Sequence, residues 1–151
     1  MELLSPAGNL EKLTFAYLYG ADAAYIGIKD FSLRAKADNF SGENYAACRE
    51  IKNGRKLYGA VNIYFHEEDL EQLEQSLDYM ALYPFDALIV SDLGAYRVLK
   101  DRFPHIQFHL RTQANCTTSD AARFYRDIGF SRIILGREVS LTEVERIKTK
   151  V

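Results

Sequence analysis

Residues 87–112, ALIVSDLGAYRVLKDRFPHIQFHLRT, hold two short apolar runs on either side of a segment with helical period. Ala87–Ser91 is apolar on both faces, as in a strand that is covered on both sides. Tyr96, Leu99 and Phe103 then recur at spacings of three and four, the stripe of an amphipathic helix. Pro104 bars the helix from continuing, and Gln107–Thr112 resumes an extended pattern. Strand, helix and strand with so short a connection make a parallel βαβ unit.

The same unit repeats in both directions. Further strands are expected at Glu2–Pro6, Ala23–Gly27, Leu57–Ile63 and Arg132–Gly136. Leu70, Leu73, Leu77 and Met80 form one more helical stripe, and Ala121, Phe124, Tyr125 and Ile128 another. Gly20, Gly54 and Gly129 follow helical segments, where a left-handed cap is wanted. Ser119 is placed to cap the fifth helix. Ser140 with Glu143 forms a capping box for the sixth, with Val139 and Val144 as its hydrophobic staple.

Six strand–helix units without Ser/Gly linkers predict one parallel sheet in one domain over residues 1–151. An open doubly wound sheet and a closed barrel both fit. The open sheet usually carries a Gly-rich phosphate loop after its first strand. Here the first strand ends Ser5-Pro6-Ala7-Gly8-Asn9, which is neither GxGxxG nor GxxxxGK. The expectation is therefore an incomplete (β/α)8 TIM-type barrel, with six of the eight units such a barrel needs.

The chain has 151 residues, 48% hydrophobic and 26% charged, with a net charge of −2. That balance argues against a domain that grips nucleic acid by bulk electrostatics, while leaving room for a local basic pocket. The two cysteines, Cys48 and Cys116, show no CxxC or Cys/His clustering, so reduced thiols in a cytoplasmic protein are expected. No signal peptide is visible, and no apolar run approaches the ~18 residues of a membrane span.

In parallel α/β proteins ligands bind at the carboxyl ends of the strands. The polar residues found there are the site candidates: Lys29 and Arg34 after the second strand, Asn62 after the third, Asp92 after the fourth, and Arg137 and Glu138 after the sixth. His109, Arg111, Gln113 and Asn115 share one parity on and beyond the fifth strand, expected to face the barrel interior and its mouth. Filling the interior with a hydrogen-bonded network is the plain alternative for His109 and Gln113. Arg111 and Arg137 point to anion contact, since a buried guanidinium needs a partner. His66-Glu67-Glu68 lacks the second histidine of HExxH and reads as a helix start. Cys116 lacks an evident base and reads as a buried thiol.

Several stretches then resemble peptidase family U32, the collagenase-like proteins. They are Leu3-Leu4-Ser5-Pro6-Ala7-Gly8-Asn9, Tyr25-Ile26-Gly27, Phe31-Ser32-Leu33-Arg34-Ala35-Lys36-Ala37, Val61-Asn62-Ile63, Val90-Ser91-Asp92, Thr112-Gln113-Ala114-Asn115 and Arg137-Glu138-Val139-Ser140-Leu141. The resemblance covers the whole chain and implies an N-terminal barrel segment. It implies RNA (tRNA or rRNA) hydroxylation by the full-length protein, with a peptidase acting on proteins such as collagen as one alternative and a non-catalytic assembly module as another. It also implies prephenate as an anionic co-substrate and an iron–sulfur cluster held by cysteines downstream of this segment, with no cofactor ligand here. This segment alone is expected to be inactive, and to self-associate through its open strand edges.

Overall fold

The computed structural model describes residues 1–33, 40 and 43–151. Arg34, Lys36 and Asp38 lie outside the described residues. Six strands alternate with six helices: β1 (Leu4–Ala7), α1 (Leu10–Leu18), β2 (Ala23–Gly27), α2 (Asn44–Lys52), β3 (Lys56–Val61), α3 (Glu67–Met80), β4 (Ala87–Val90), α4 (Leu93–Arg102), β5 (Gln107–Leu110), α5 (Ser119–Ile128), β6 (Arg132–Ile133) and α6 (Leu141–Lys150). The strands form one sheet in sequence order, and every pair is parallel. No helix among the described residues is long and apolar enough to cross a membrane.

The punctuation behaves as the side chains require. Asn9, Asp92 and Ser140 each accept a backbone N–H of the helix they open. Ser140 and Glu143 make the expected capping box, and His66 opens α3 in the same manner, with Asp69 reaching back to its N–H at 2.8 Å. The fifth helix differs from expectation. Thr118 caps it, accepting from Ala121 N–H, and Ser119 is its first helical residue. A cap must stay extended while its oxygen reaches three residues on, and Thr118 has that backbone.

Both faces of the sheet are apolar, for different reasons. One face packs on the helices through Ile26, Leu57, Val61, Leu88, Leu110 and their neighbours, which meet Leu13, Leu73 and Leu99 from the helical layer. The other face carries a separate cluster of Ala23, Tyr58, Ala87 and Ile89, edged by Leu4, Tyr25 and Ile134. A second core on the inner face implies that the sheet is rolled. Charge confirms the roll. Arg132 on β6 donates to Glu2, beside β1, at 2.5 Å. Flat, five strand spacings of about 4.8 Å would hold those edges about 24 Å apart, beyond what the two side chains can span. The open sheet is thereby excluded, and the described units follow a (β/α)8 barrel.

Gly59 shows how tightly the outer layer is packed. A Cβ there would lie 2.9 Å from both Leu88 Cδ2 and Phe85 Cζ. Gly59→Ala should therefore destabilise the protein by about 1–3 kcal/mol through overpacking. A urea midpoint equal to that of the unsubstituted protein would contradict this packing.

Candidate functional site at the barrel mouth

The two ends of the rolled sheet carry different polar chemistry. At the amino ends of the strands, Glu2 accepts from Arg132, from Lys56 Nζ at 3.1 Å and from Tyr58 OH at 2.9 Å. Three donors on one carboxylate, Arg132 foremost, hold its pKa down to about 2. Tyr58 lies under the Arg132 guanidinium, 5.7 Å from carbon to ring centre, and meets His109 edge-on at 4.8 Å. His109 is 2% exposed. Burial first, and then Arg132, push its pKa down to about 4, so the imidazole is neutral at pH 7. His109 thus belongs to the packed interior, paired in register with Ile89 and Arg132.

At the carboxyl ends, a cavity of about 460 Å³ opens over the inner face. Its apolar floor is Leu4, Tyr25, Ile89 and Ile134. Its polar wall includes Arg111, Gln113, Asn115, Arg137 and Glu138. Five residues expected from sequence therefore meet in one place, by a route that differs from the expected one. β5 ends at Leu110, so strand alternation carries only as far as Arg111, whose N–H still donates to Val90 C=O at 2.9 Å. A single 3-10 turn, Thr112–Ala114, then redirects the chain. Asn115 closes that turn with left-handed backbone, φ 52°, a conformation that asparagine tolerates better than most residues. Gln113 and Asn115 reach the mouth through this turn and not as a continued row.

The loop after β6 meets that turn closely. β6 itself is shorter than the expected Arg132–Gly136 run and ends at Ile133. Gly136 N–H donates to Cys116 C=O at 2.9 Å. A Cβ on Gly136 would lie 2.7 Å from Glu138 Oε2 and 2.9 Å from Thr117 Cγ2. This close approach sets Arg137 and Glu138 on the rim beside Asn115.

Lys29, Asn62 and Asp92 do not line the cavity. Lys29 is exposed in the turn after β2, with its N–H on Phe40 C=O at 3.2 Å. Asp92 caps α4, its Oδ1 accepting from Ala95 N–H at 2.8 Å, which is a structural task. Asn62 is buried just past β3. Arg34 lies outside the described residues. Sequence reading missed the apolar floor and the Glu2–Arg132 pair. The available signal for the pair was a charged residue opening each of two otherwise apolar strands. A larger groove, about 770 Å³, runs between α3 and α4, in the helical layer and away from the strand ends.

Neither cysteine suits a cluster or a nucleophile. Both are fully buried, and burial raises both thiols, Cys48 to about 12. Among the described residues no three His, Cys, Asp or Glu side chains converge on a metal position.

A rolled parallel α/β sheet with a polar cavity at its carboxyl end defines a TIM-type barrel segment. The fold is matched by a crystal structure of monomers generated from the dimeric phosphoribosylanthranilate isomerase of Thermotoga maritima, with a TM-score of 0.59 over 99% of this chain and 72% of that one, at 16% identity. The chain belongs to peptidase family U32, whose profile matches residues 8–151. It is 39% identical to tRNA hydroxylation protein P1 of Bacillus subtilis (strain 168), over 99% of this chain and 36% of that protein. It is 38% identical to tRNA hydroxylation protein P of Escherichia coli (strain K12), over 99% and 34%. It is 32% identical to a collagenase of Porphyromonas gingivalis (strain ATCC BAA-308 / W83), over 97% and 35%. The chain thus spans about a third of the length of these relatives.

The two shifted groups of the interior give a pH profile. A folded histidine near 4 against an ordinary 6.5 means that the unfolded chain binds the extra proton, so stability falls as pH drops from about 6.5 to about 4. Glu2, near 2 against 4.5, adds stability that is complete above 4.5 and is lost as pH falls toward 2. Urea midpoints measured from pH 8 to pH 3 should show both losses. His109→Gln should flatten the upper one, and an unchanged slope there would refute the assignment.

Proposed function

We propose that residues 1–151 form the barrel wall and mouth of a cytoplasmic RNA-hydroxylating protein of this family, acting on tRNA or rRNA. The carrying observation is the mouth cavity, where Arg111 and Arg137 stand over an apolar floor. Two guanidinium groups suit the carboxylates of a small acid such as prephenate, since arginine matches a carboxylate with parallel N–H donors. Leu4, Tyr25, Ile89 and Ile134 suit its ring. Gln113, Asn115 and Glu138 supply the remaining polar contacts in this reading. The RNA assignment draws on the names of the tRNA hydroxylation relatives. The near-neutral chain, at −2, makes any RNA contact local. The iron–sulfur cluster implied by the family resemblance takes its ligands from outside residues 1–151, because neither Cys48 nor Cys116 suits it.

A peptidase is the second reading, favoured by the family name and the collagenase relative. It finds no support in the described side chains. The two thiols are buried and protonated, and no histidine is hydrogen-bonded to either.

Self-association is proposed through the β1 edge, beside which Phe15 and Tyr19 are 46% and 82% exposed. Light scattering of this chain should show a mass that rises with concentration, and Phe15→Lys with Tyr19→Lys should return it to a monomer. A monodisperse monomer for the unsubstituted chain refutes this part.

The acid site is tested in the full-length protein. Arg111→Ala and Arg137→Ala should each weaken prephenate binding about tenfold or more, the share of a charge-assisted contact worth about 1.5–3 kcal/mol. Hydroxylated uridine in tRNA, read by mass spectrometry, should fall in parallel. Unchanged binding and unchanged modification would reject these roles.

A further inference from the structure

The groove of about 770 Å³ between α3 and α4 lies on the outside of the helical layer. The apolar stripe of α3 divides there. Leu73 and Met80 are in the core, 0% and 1% exposed. Leu70 and Leu77 are only half-buried and line the groove, together with the half-buried Val98 of α4. The core uses one half of the stripe fully, and the other half forms an apolar floor open to water.

The charges beside that floor work against the helix that carries them. α3 holds six carboxylates, Glu67, Glu68, Asp69, Glu71, Glu74 and Asp78, and neither lysine nor arginine. Taking its −6 from the chain's −2 leaves +4 on all other residues. The first three acids sit in the first turn, where the helix dipole favours them. The later three lie beyond its reach. Glu67, Glu71, Glu74 and Asp78 also recur at spacings of four, three and four, which makes them one exposed row. Like charges at these spacings repel and weaken a helix. Among the described residues only Asp78 of this row meets a cation, Arg102 at 3.0 Å. On the opposite wall Arg97 and Asp101 offset each other in charge. The side of the groove along α3 is therefore negative, at a cost that folding does not recover.

We propose that the groove between α3 and α4 docks a basic amphipathic helix of a protein partner. The apolar side of that helix lies on Leu70, Leu77 and Val98, and its lysines or arginines meet Glu67, Glu71 and Glu74. Helices enter such grooves by apolar anchors at i, i+3, i+4 and i+7. Glu67 to Glu74 spans seven residues, about 10 Å at 1.5 Å per residue, so two turns of the partner match the row. The sign of the row repels phosphates and so turns nucleic acid away from this face. The groove is remote from the strand ends, and its occupant leaves the mouth open. The proposal therefore stands independently of what the mouth binds.

The test is fluorescence anisotropy of this chain with a labelled leucine–lysine peptide of helical period, beside the same peptide with glutamate for lysine. The lysine peptide should bind, more weakly as salt is raised, and the glutamate peptide should not. Glu71→Lys with Glu74→Lys should weaken the lysine peptide about tenfold or more. The same charge change on exposed acids of other helices, Glu50→Lys with Glu145→Lys, should weaken it about threefold or less. The first pair should also keep or raise Tm, because it removes like-charge repulsion within α3. Absence of binding overturns the proposal. Equal effects of the two pairs mean attraction by overall charge and overturn it too. Self-association that survives Phe15→Lys with Tyr19→Lys, and is lost with Glu71→Lys and Glu74→Lys, gives the groove to a second copy and overturns the assigned partner.

Discussion

The contact between Arg132 and Glu2 closes over the inner face of the sheet, and the rest of the structure depends on the roll it records. Six parallel strands can lie open with helices on both sides, or curl with helices on one side. Curling is viable only if the inner face has something to bury. Here Tyr58, Ala87, Ile89 and Ala23 bury one another. The carboxylate of Glu2 gathers its three donors at the amino end of the same space. A partly exposed ion pair contributes little to stability, because water screens its attraction. Its worth here is geometric: it is satisfied only in the rolled arrangement.

That roll divides the interior by function. The amino end is saturated: Glu2, Tyr58, Lys56 and Arg132 satisfy one another, and His109 is kept neutral beside them. The carboxyl end is open. Its arginines face a cavity with an apolar floor, and two carboxamide oxygens there have no partner.

The family carries names of two chemistries, hydroxylation of RNA and cleavage of protein. In the described part of this chain the thiols of Cys48 and Cys116 are buried and protonated, which does not suit them to act as nucleophiles. The short 3-10 turn Thr112–Ala114 and the close approach at Gly136 bring the loops after β5 and β6 together, and so join Arg111, Gln113, Asn115, Arg137 and Glu138.

Much of this was legible in the residues. Period-two and period-3.6 patterns located all six strands and the capped helices, because burial on one or two faces leaves a periodic trace in the chain. The rule that parallel α/β sites lie at strand ends named five of the residues that line the mouth. Reading Gln113 and Asn115 as a continued strand row failed, since a turn three residues long leaves no period to detect. Asp92 was read as a site residue and serves as a helix cap, because both tasks place a carboxylate at a strand end. The sequence by itself determined the elements, their order and which end of the sheet would be polar. Only the tertiary structure decided that the sheet rolls, that Glu2 meets Arg132, and that Asn62 and Gln113 are left unpaired. Each of those facts depends on residues far apart in the chain being brought within a few ångströms, a distance that no local pattern encodes.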